Sequence, residues 1–545
     1  MPLAFICIAP QNWGGGASSA PHTLARAGFF IRLATFQKPT HAMTTTAALT
    51  VLGNETLGTV SPLLHGHFAE HLGRCCYDGL WVGTGSAIPN EGGFRTDVLD
   101  ALAKLPIPLL RWPGGCFADT YHWREGIGPP PSRPRTLAES CGLNVLETNA
   151  LGTHEFVNLC RRIGAEPYLA GNVGTGTPQE LMDWVQYCNS PMDTTLARER
   201  RANGHAAPIG VRYWGVGNEN WGCGGNYDAG DYAKEYKRYA TFLRQVQAGT
   251  PLELVACGDA NRDWNLRVVE GLRNHLSLLD HLSVHRYWAA GHATEFTEDE
   301  YYQLLRGAEL VEGDIRHADE ILRFFAAGRR QVGIAFDEWG IWHPQASAQA
   351  GMAATSTLRD AVAAAGVLDV FHQWCARVSM ANLAQIVNVL HCLIQTQEDK
   401  MWLTPTYHLF HLYTPHQGGT ALRTVQDSVP TRDMPAFGRP WPEAAWDAGT
   451  LPLVSSSATR KEGQLVLSIT NRHLAEALEV EVTLQDLSVS SGTIATLTGD
   501  AAHASNSASQ PQRVRVQRSA LTAQGSVVRL QLPACSVQTA AFALA

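Results

Sequence analysis

Between about residue 63 and residue 385 the apolar positions form short runs closed by Gly, Pro or Asn, and these alternate with longer stretches whose apolar residues recur at three and four positions. A run of the first kind reads as a buried strand, a stretch of the second as an amphipathic helix. Eight strands are expected on this pattern: LLHGHFAE (63–70), PLLRWPGG (108–115), EPYLAGNVG (166–174), VRYWGVGNE (211–219), LELVACGD (252–259), HLSVHRYW (281–288), VGIAFDEWG (332–340) and RVSMANLAQ (377–385). DAGDYAKEYKRYATFLRQVQ is a typical intervening helix, with Asp228 or Asp231 available to cap its start. Eight buried strands with helices between them is the number that closes a (β/α)8, or TIM, barrel, an α/β fold.

Beyond about residue 415 the period changes to two. QLVLSITNR, LEVEVTLQDL, GTIATLTG, QRVRVQ and GSVVRLQL alternate apolar and polar residues between Ser, Gly and Asn turns, which predicts an all-β sandwich. ALTVLGNETLGTVS (48–61) reads as strand material ahead of the barrel and is expected to pair with that late sheet. The organisation expected is therefore a poorly ordered extension over 1–42, a strand segment over 43–62, a barrel over 63–415 and a sandwich over 416–545. AAHASNSASQPQ (501–512) reads as an exposed loop.

Composition narrows the partners. A chain of 545 residues with 45% hydrophobic and 17% charged residues can bury a large core and is neither fibrous nor disordered. Its formal charge of -8 and the lack of any Lys/Arg run argue against nucleic acid and favour a neutral or small molecule. Twelve cysteines without framework spacing read as mostly reduced core thiols, which favours the cytoplasm. MPLAFICIAP lacks a basic leader and the segment after it is too broken to span a bilayer, so translation is expected to begin at Met43, with no membrane association.

In a TIM barrel, reactive groups sit at the C-terminal ends of the strands. Glu219 ends strand four in YWGVGNENWGCGGN and Glu338 ends strand seven in IAFDEWGIWH. An unpaired buried carboxylate is costly, and one such Glu would be read as the partner of a barrel arginine, Arg111 or Arg286. Two, facing each other across the barrel mouth, are what glycosidic bond cleavage requires: one group protonates the departing oxygen and the other attacks the anomeric carbon. Asn218 beside Glu219 suits the acid/base, while Tyr287 and His285, on the neighbouring strand, suit Glu338 as nucleophile. Trp112, Trp123, Trp221, Trp288, Trp339 and Trp342 lie by the strand ends, where about half are expected to stack on sugar.

A competing constellation is His65-Gly-His67 at strand one with His285, which would be the metal site of a barrel amidohydrolase. That reading needs a Lys after strand four and an Asp after strand eight, where this chain has Asn218-Glu219 and Ala384-Gln385. GTGTP (174–178) is too short and misplaced to be a phosphate loop.

The segments FAEHLGRCCYDGLW (68–81), LLRWPGGCFADTYHWREGIGP (109–129), LETNALGTHEF (146–156), YWGVGNENWGCGGN (213–226), SVHRYW (283–288), FDEWGIWH (336–343) and ANLAQIVNVL (381–390) together resemble glycoside hydrolase family 51. The resemblance implies a retaining, exo-acting α-L-arabinofuranosidase that removes non-reducing-end units from arabinoxylan, arabinan or their oligosaccharides through a covalent glycosyl-enzyme. It implies no cofactor, no required metal, and a homo-oligomer, hexameric or smaller. Glu70, Asn218, Tyr287 and Gln385 are the sugar contacts it implies, with Arg111 buttressing Glu338; the reading of the strand ends adds Cys116 and Trp221 as contacts and His285 and Trp342 in support. β-Xylosidase or endo-glucanase specificity is the alternative within the same fold. The chain departs from the family in two places. Cys116 stands where many relatives have a sugar-binding Asn, and Cys223 comes from a loop beside the same pocket, so the two are expected to face each other and bridge. SCGLN (140–144) lacks the Trp that relatives often carry before ETN, which leaves binding beyond the scissile bond less defined.

Overall fold

The computed structural model describes residues 45–545 apart from 247–248, 327 and 441–442, so the extension expected over 1–42 lies outside the described residues. Eight parallel strands close a barrel in sequence order: Gly66–Phe68, Leu109–Trp112, Glu166–Gly171, Tyr213–Val216, Glu253–Ala256, His281–Trp288, Gly333–Ile341 and Val378–Ala384. Each falls on a segment expected from the sequence. Strand one is the most shortened, because Pro62–His65 forms a 3-10 turn, with the Leu63 amide donating to the Ser61 hydroxyl. Leu109, Tyr168, Tyr213, Val255, Ala335 and Met380 pack together inside the barrel, a filled layer of the kind that makes this fold a core rather than a pore.

The helices bury the faces that their spacing dictates. In Ala229–Leu243 the residues Tyr232, Tyr236, Tyr239, Ala240 and Leu243 face inward at intervals of three and four. Each large apolar side chain so buried contributes roughly 1.5–3 kcal/mol. Asp228 is the N-cap residue of this helix but makes no side-chain cap bond, and Asp231 sits in the first turn.

The late strands form one continuous nine-stranded ladder, in the order Arg515–Leu521, Val489–Thr498, Ser536–Leu544, Gln464–Asn471, Val454–Lys461, Thr420–Ser428, Thr45–Thr59, Leu478–Gln485 and Val527–Leu532. It curls over its own apolar core until Gln538 donates to the Gln531 carbonyl across the closing gap, which gives a sandwich. The Thr45–Thr59 strand lies inside the ladder, antiparallel to Thr420–Ser428 and parallel to Leu478–Gln485.

Barrel and sandwich meet at the buried helix Leu358–Gln373. One sequence expectation is corrected at this seam. The 501–512 segment is not simply an exposed loop: the Ala502 and Ala504 carbonyls accept from the amides of Arg359 and Leu358, capping the helix, while buried Asn506 donates to Leu403 and Val514. Four N–H groups at a helix start lack partners within the helix, and this loop supplies two of the acceptors.

Candidate active site

Strand seven delivers two acids to the barrel mouth because it is irregular. Opposite strand six, Ser283 pairs with Ala335 but His285 pairs with Glu338, so strand seven carries one extra residue. The extra residue breaks the alternation of faces. Phe336 and Trp339 pack outward on Phe371 of the seam helix, while Asp337 and Glu338 both turn to the site.

Glu338 is 6% exposed and receives hydrogen bonds from Arg111 Nη1 at 2.7 Å and Tyr287 OH at 2.8 Å. Glu219 follows strand four at a φ of 44°, a left-handed turn made possible by Gly217 before it (φ 89°). His285 joins the two acids. Its Nδ1 lies 2.9 Å from Glu219 Oε1 and 3.6 Å from Glu338 Oε2, and an oxygen of each carboxylate lies within 4.8 Å of the other. Burial by itself would discharge the His285 ring, but Glu338, Asp337 and Glu219 outweigh it and push its pKa up to about 10.

Beneath them, Asp337 accepts from Ser283 Oγ at 2.6 Å and Tyr168 OH at 2.7 Å, with Arg111 Nε 3.6 Å away. Burial opposes its charge, yet Arg111, His285 and Ser283 hold its carboxyl well below the usual range. Arg111 also donates to Asn218 Oδ1, so a single guanidinium orders Glu338, Asp337 and Asn218.

Glu70 follows strand one, 3% exposed, held by the Phe117 amide at 3.2 Å, Ser140 Oγ at 3.0 Å and Gln385 Nε2 at 2.9 Å. Burial and the nearby Glu338 push its pKa up to about 7. Asn218 Nδ2 and Gln385 Oε1 have no partner among the described protein atoms, which leaves one donor and one acceptor for a polar ligand. Trp342 meets Tyr287 edge-on at 5.2 Å, and Trp221 donates to the Gly258 carbonyl at 3.2 Å. Cys116 and Cys223 form a disulfide with Cα atoms 5.5 Å apart, tying the loop after strand two to the Glu219 loop, and Cys223 Sγ lies 3.7 Å from Glu219 Oε2. Eight of the other nine described cysteines are buried.

The structure therefore brings together Glu70, Arg111, Cys116, Asn218, Glu219, Trp221, His285, Tyr287, Glu338, Trp342 and Gln385. It corrects the aromatic expectation: Trp112, Trp123, Trp288 and Trp339 are at most 1% exposed and belong to the core, whereas Trp221 and Trp342 are only partly buried. It also removes the amidohydrolase arrangement. His65 turns to His372, 3.0 Å away, and His67 packs on Phe410 outside the barrel, so neither joins His285. Three contributors were missed in the sequence: Asp337, Ser140 and Asp119. Asp119 is 1% exposed and accepts the amides of Val173, Gly174 and Asn218, which fixes the loops after strands three and four. An Asp directly before the strand-seven Glu was the available signal for the first; Ser140 closes a short strand outside the eight expected ones and Asp119 lies in a 3-10 turn, and neither has a sequence pattern that marks it.

Residues 101–304 match the model of the α-L-arabinofuranosidase 1 domain, and residues 337–536 that of the α-L-arabinofuranosidase C-terminal domain. An intracellular exo-α-L-arabinofuranosidase of Bacteroides ovatus is 40% identical over 81% of this chain and 84% of its own length. α-L-Arabinofuranosidase C of Emericella nidulans is 33% identical over 82% and 88%. Among solved structures, the GH51 arabinofuranosidase of Xanthomonas axonopodis pv. citri superposes with a TM-score of 0.83 at 36% identity, covering 91% of this chain and all but 1% of the other. The arabinose complex of the Thermotoga maritima α-L-arabinofuranosidase gives 0.82 at 31% identity, over 91% and 99%.

Proposed function

Because the chain belongs to the α-L-arabinofuranosidases of glycoside hydrolase family 51, we propose that the site described above hydrolyses arabinofuranosides by double displacement, with Glu338 as nucleophile and Glu219 as acid/base. The activity itself is exo-acting: an α-L-arabinofuranosyl unit is removed from the end of a glycan. The observation that supports double displacement is the pair of carboxylate oxygens within 4.8 Å, bridged by His285 Nδ1. Carboxyl groups about 5–5.5 Å apart leave no room for a water between the second carboxylate and the anomeric carbon, so that carboxylate attacks directly and configuration is retained.

Glu338 is the one aimed by two donors, which fix an oxygen for in-line attack on C1. As the C1–O bond breaks, Glu219 gives its proton to the leaving oxygen; in the second half it takes a proton from water, whose oxygen attacks C1 and releases Glu338. His285 holds Glu219 Oε1 and leaves Oε2 to carry the proton. Glu70, Gln385 Oε1 and Asn218 Nδ2 receive the furanose hydroxyls, with Trp221 and Trp342 as walls. Arabinoxylan, arabinan and their oligosaccharides are the substrates proposed, in the cytoplasm, by a homo-oligomer no larger than a hexamer. Among the described residues no helix is long and apolar enough to cross a membrane.

Azide distinguishes the two acids. Glu338→Ala is expected to abolish turnover of an aryl arabinofuranoside, and azide to yield the inverted arabinofuranosyl azide. Glu219→Ala should retain activity only on good leaving groups, lose about 10²–10⁴-fold on poor ones, and give the azide of retained configuration. The opposite stereochemistry in the two products would reverse the assignment.

A further inference from the structure

The 140–144 segment, where the chain departs from its family, forms the tip of a β-hairpin. Thr136–Ser140 pairs antiparallel with Leu143–Glu147 through a two-residue turn, Cys141 at a φ of 51° and Gly142 at 81°. The base of this hairpin is anchored by Glu147, which accepts from His71 Nδ1 at 2.9 Å, the Asn149 amide at 2.6 Å and Tyr77 OH. Its tip leans over the barrel mouth. A Cβ on Gly142 would come 3.6 Å from Ala348 of the loop after strand seven, and Ser140, 3% exposed, places its hydroxyl on Glu70.

Glu70 is tightly enclosed. A Cβ on Gly115 would approach its oxygens to 2.8 and 2.9 Å, so the carboxylate has no room to turn away from its donors. Of those donors the Phe117 amide comes from the start of the connection after strand two, Gln385 from the end of strand eight, and Ser140 from the hairpin further along the connection after strand two. We propose that Ser140 is a positioning residue of the sugar site: the hairpin delivers its hydroxyl to Glu70 Oε1, and that bond fixes the carboxylate for the furanose hydroxyls. This rests on the reading that Glu70 contacts the sugar.

The charges around Glu70 give the bond a second effect. Burial and Glu338 favour the protonated acid, while the Phe117 amide, Ser140 and Arg111 favour the carboxylate; the neighbouring thiols of Cys76 and Cys141 and the phenol of Tyr287 are themselves raised by burial and stay neutral. With Glu70 poised near 7, loss of one donor extends its protonated range upward in pH.

The test is steady-state kinetics on an aryl arabinofuranoside across pH with Ser140→Ala, Ser140→Thr, Glu70→Gln and the Ser140→Ala/Glu70→Gln double variant. Ser140→Ala is expected to raise KM about tenfold with kcat little changed, the effect of one hydrogen bond to a charged group, and to move the acid limb of kcat/KM to higher pH. Ser140→Thr should restore both, and Ser140→Ala should cost clearly less in the Glu70→Gln background, where the acceptor at position 70 is no longer charged. An equal loss in that background, or an unmoved acid limb, overturns the proposal. If Glu70→Gln keeps wild-type kcat/KM, it is the sugar-contact reading of Glu70 that fails.

Discussion

Asp337 is acidic, 1% exposed and ringed by Arg111, His285, Ser283 and Tyr168, and its negative charge is what makes two buried cations tolerable beneath the glutamate pair. Removing the charge leaves those cations short of a partner, so Asp337→Asn should lower stability by about 3–5 kcal/mol even though the side chain is almost isosteric. The pH dependence follows from His285, whose pKa rises from 6.5 unfolded to about 10 folded. Its contribution is complete below 6.5 and is lost as pH climbs through 10. Urea unfolding midpoints should therefore fall from neutrality toward pH 10 in the wild type and fall less in Asp337→Asn, which starts lower. Sequence alone missed Asp337 because alternation along a strand assigns neighbouring residues to opposite faces, and only the extra residue in strand seven turns both acids inward.

Among the elements, the loops after strands two and four are joined by Cys116–Cys223 across 107 residues of sequence. Closing a loop of that size constrains the unfolded chain by an amount on the order of 4 kcal/mol. The bridge also holds the loop that carries Glu219. Reduction by dithiothreitol, or a Cys116→Ser/Cys223→Ser variant, should lower the thermal midpoint by several degrees and slow turnover of poor leaving groups more than of aryl ones, since only the former depend on a well-aimed acid. Equal slowing of both substrates would separate the bridge from Glu219. The eight barrel strands were legible because buried parallel strands are uninterrupted apolar runs. The tryptophans were not, because position at a strand end does not tell which side of the strand a ring takes: Trp288 turns outward to donate to Leu304 while Tyr287 beside it meets Glu338. The helix-capping role of 501–512 was hidden for another reason, since it uses backbone carbonyls, which no side-chain pattern reports.

Across the whole molecule, barrel and sandwich share a buried seam of histidines. His65 bonds His372, His372 bonds Ser457, and His416 bonds Thr459 and Ser468. Burial holds all three neutral, with His65 and His416 lowered to about 3 and His372 well below 6.5. The unfolded chain binds protons below 6.5 and the folded one does not, so stability is full above 6.5 and declines as pH falls from there toward 3, by about 1.4 kcal/mol per unit for each histidine. Calorimetric midpoints should drop steeply over that window, and His416→Asn should flatten the drop. The placement of the Thr45–Thr59 strand has a further consequence during synthesis. The ribosome emits this strand ahead of the entire barrel, whereas its two neighbours begin at Thr420 and Leu478. At about 5–20 residues per second, it waits on the order of tens of seconds with both hydrogen-bonding edges bare. Nascent chains are thus exposed to mispairing along this strand, and a factor that shields it would protect them until its partners emerge.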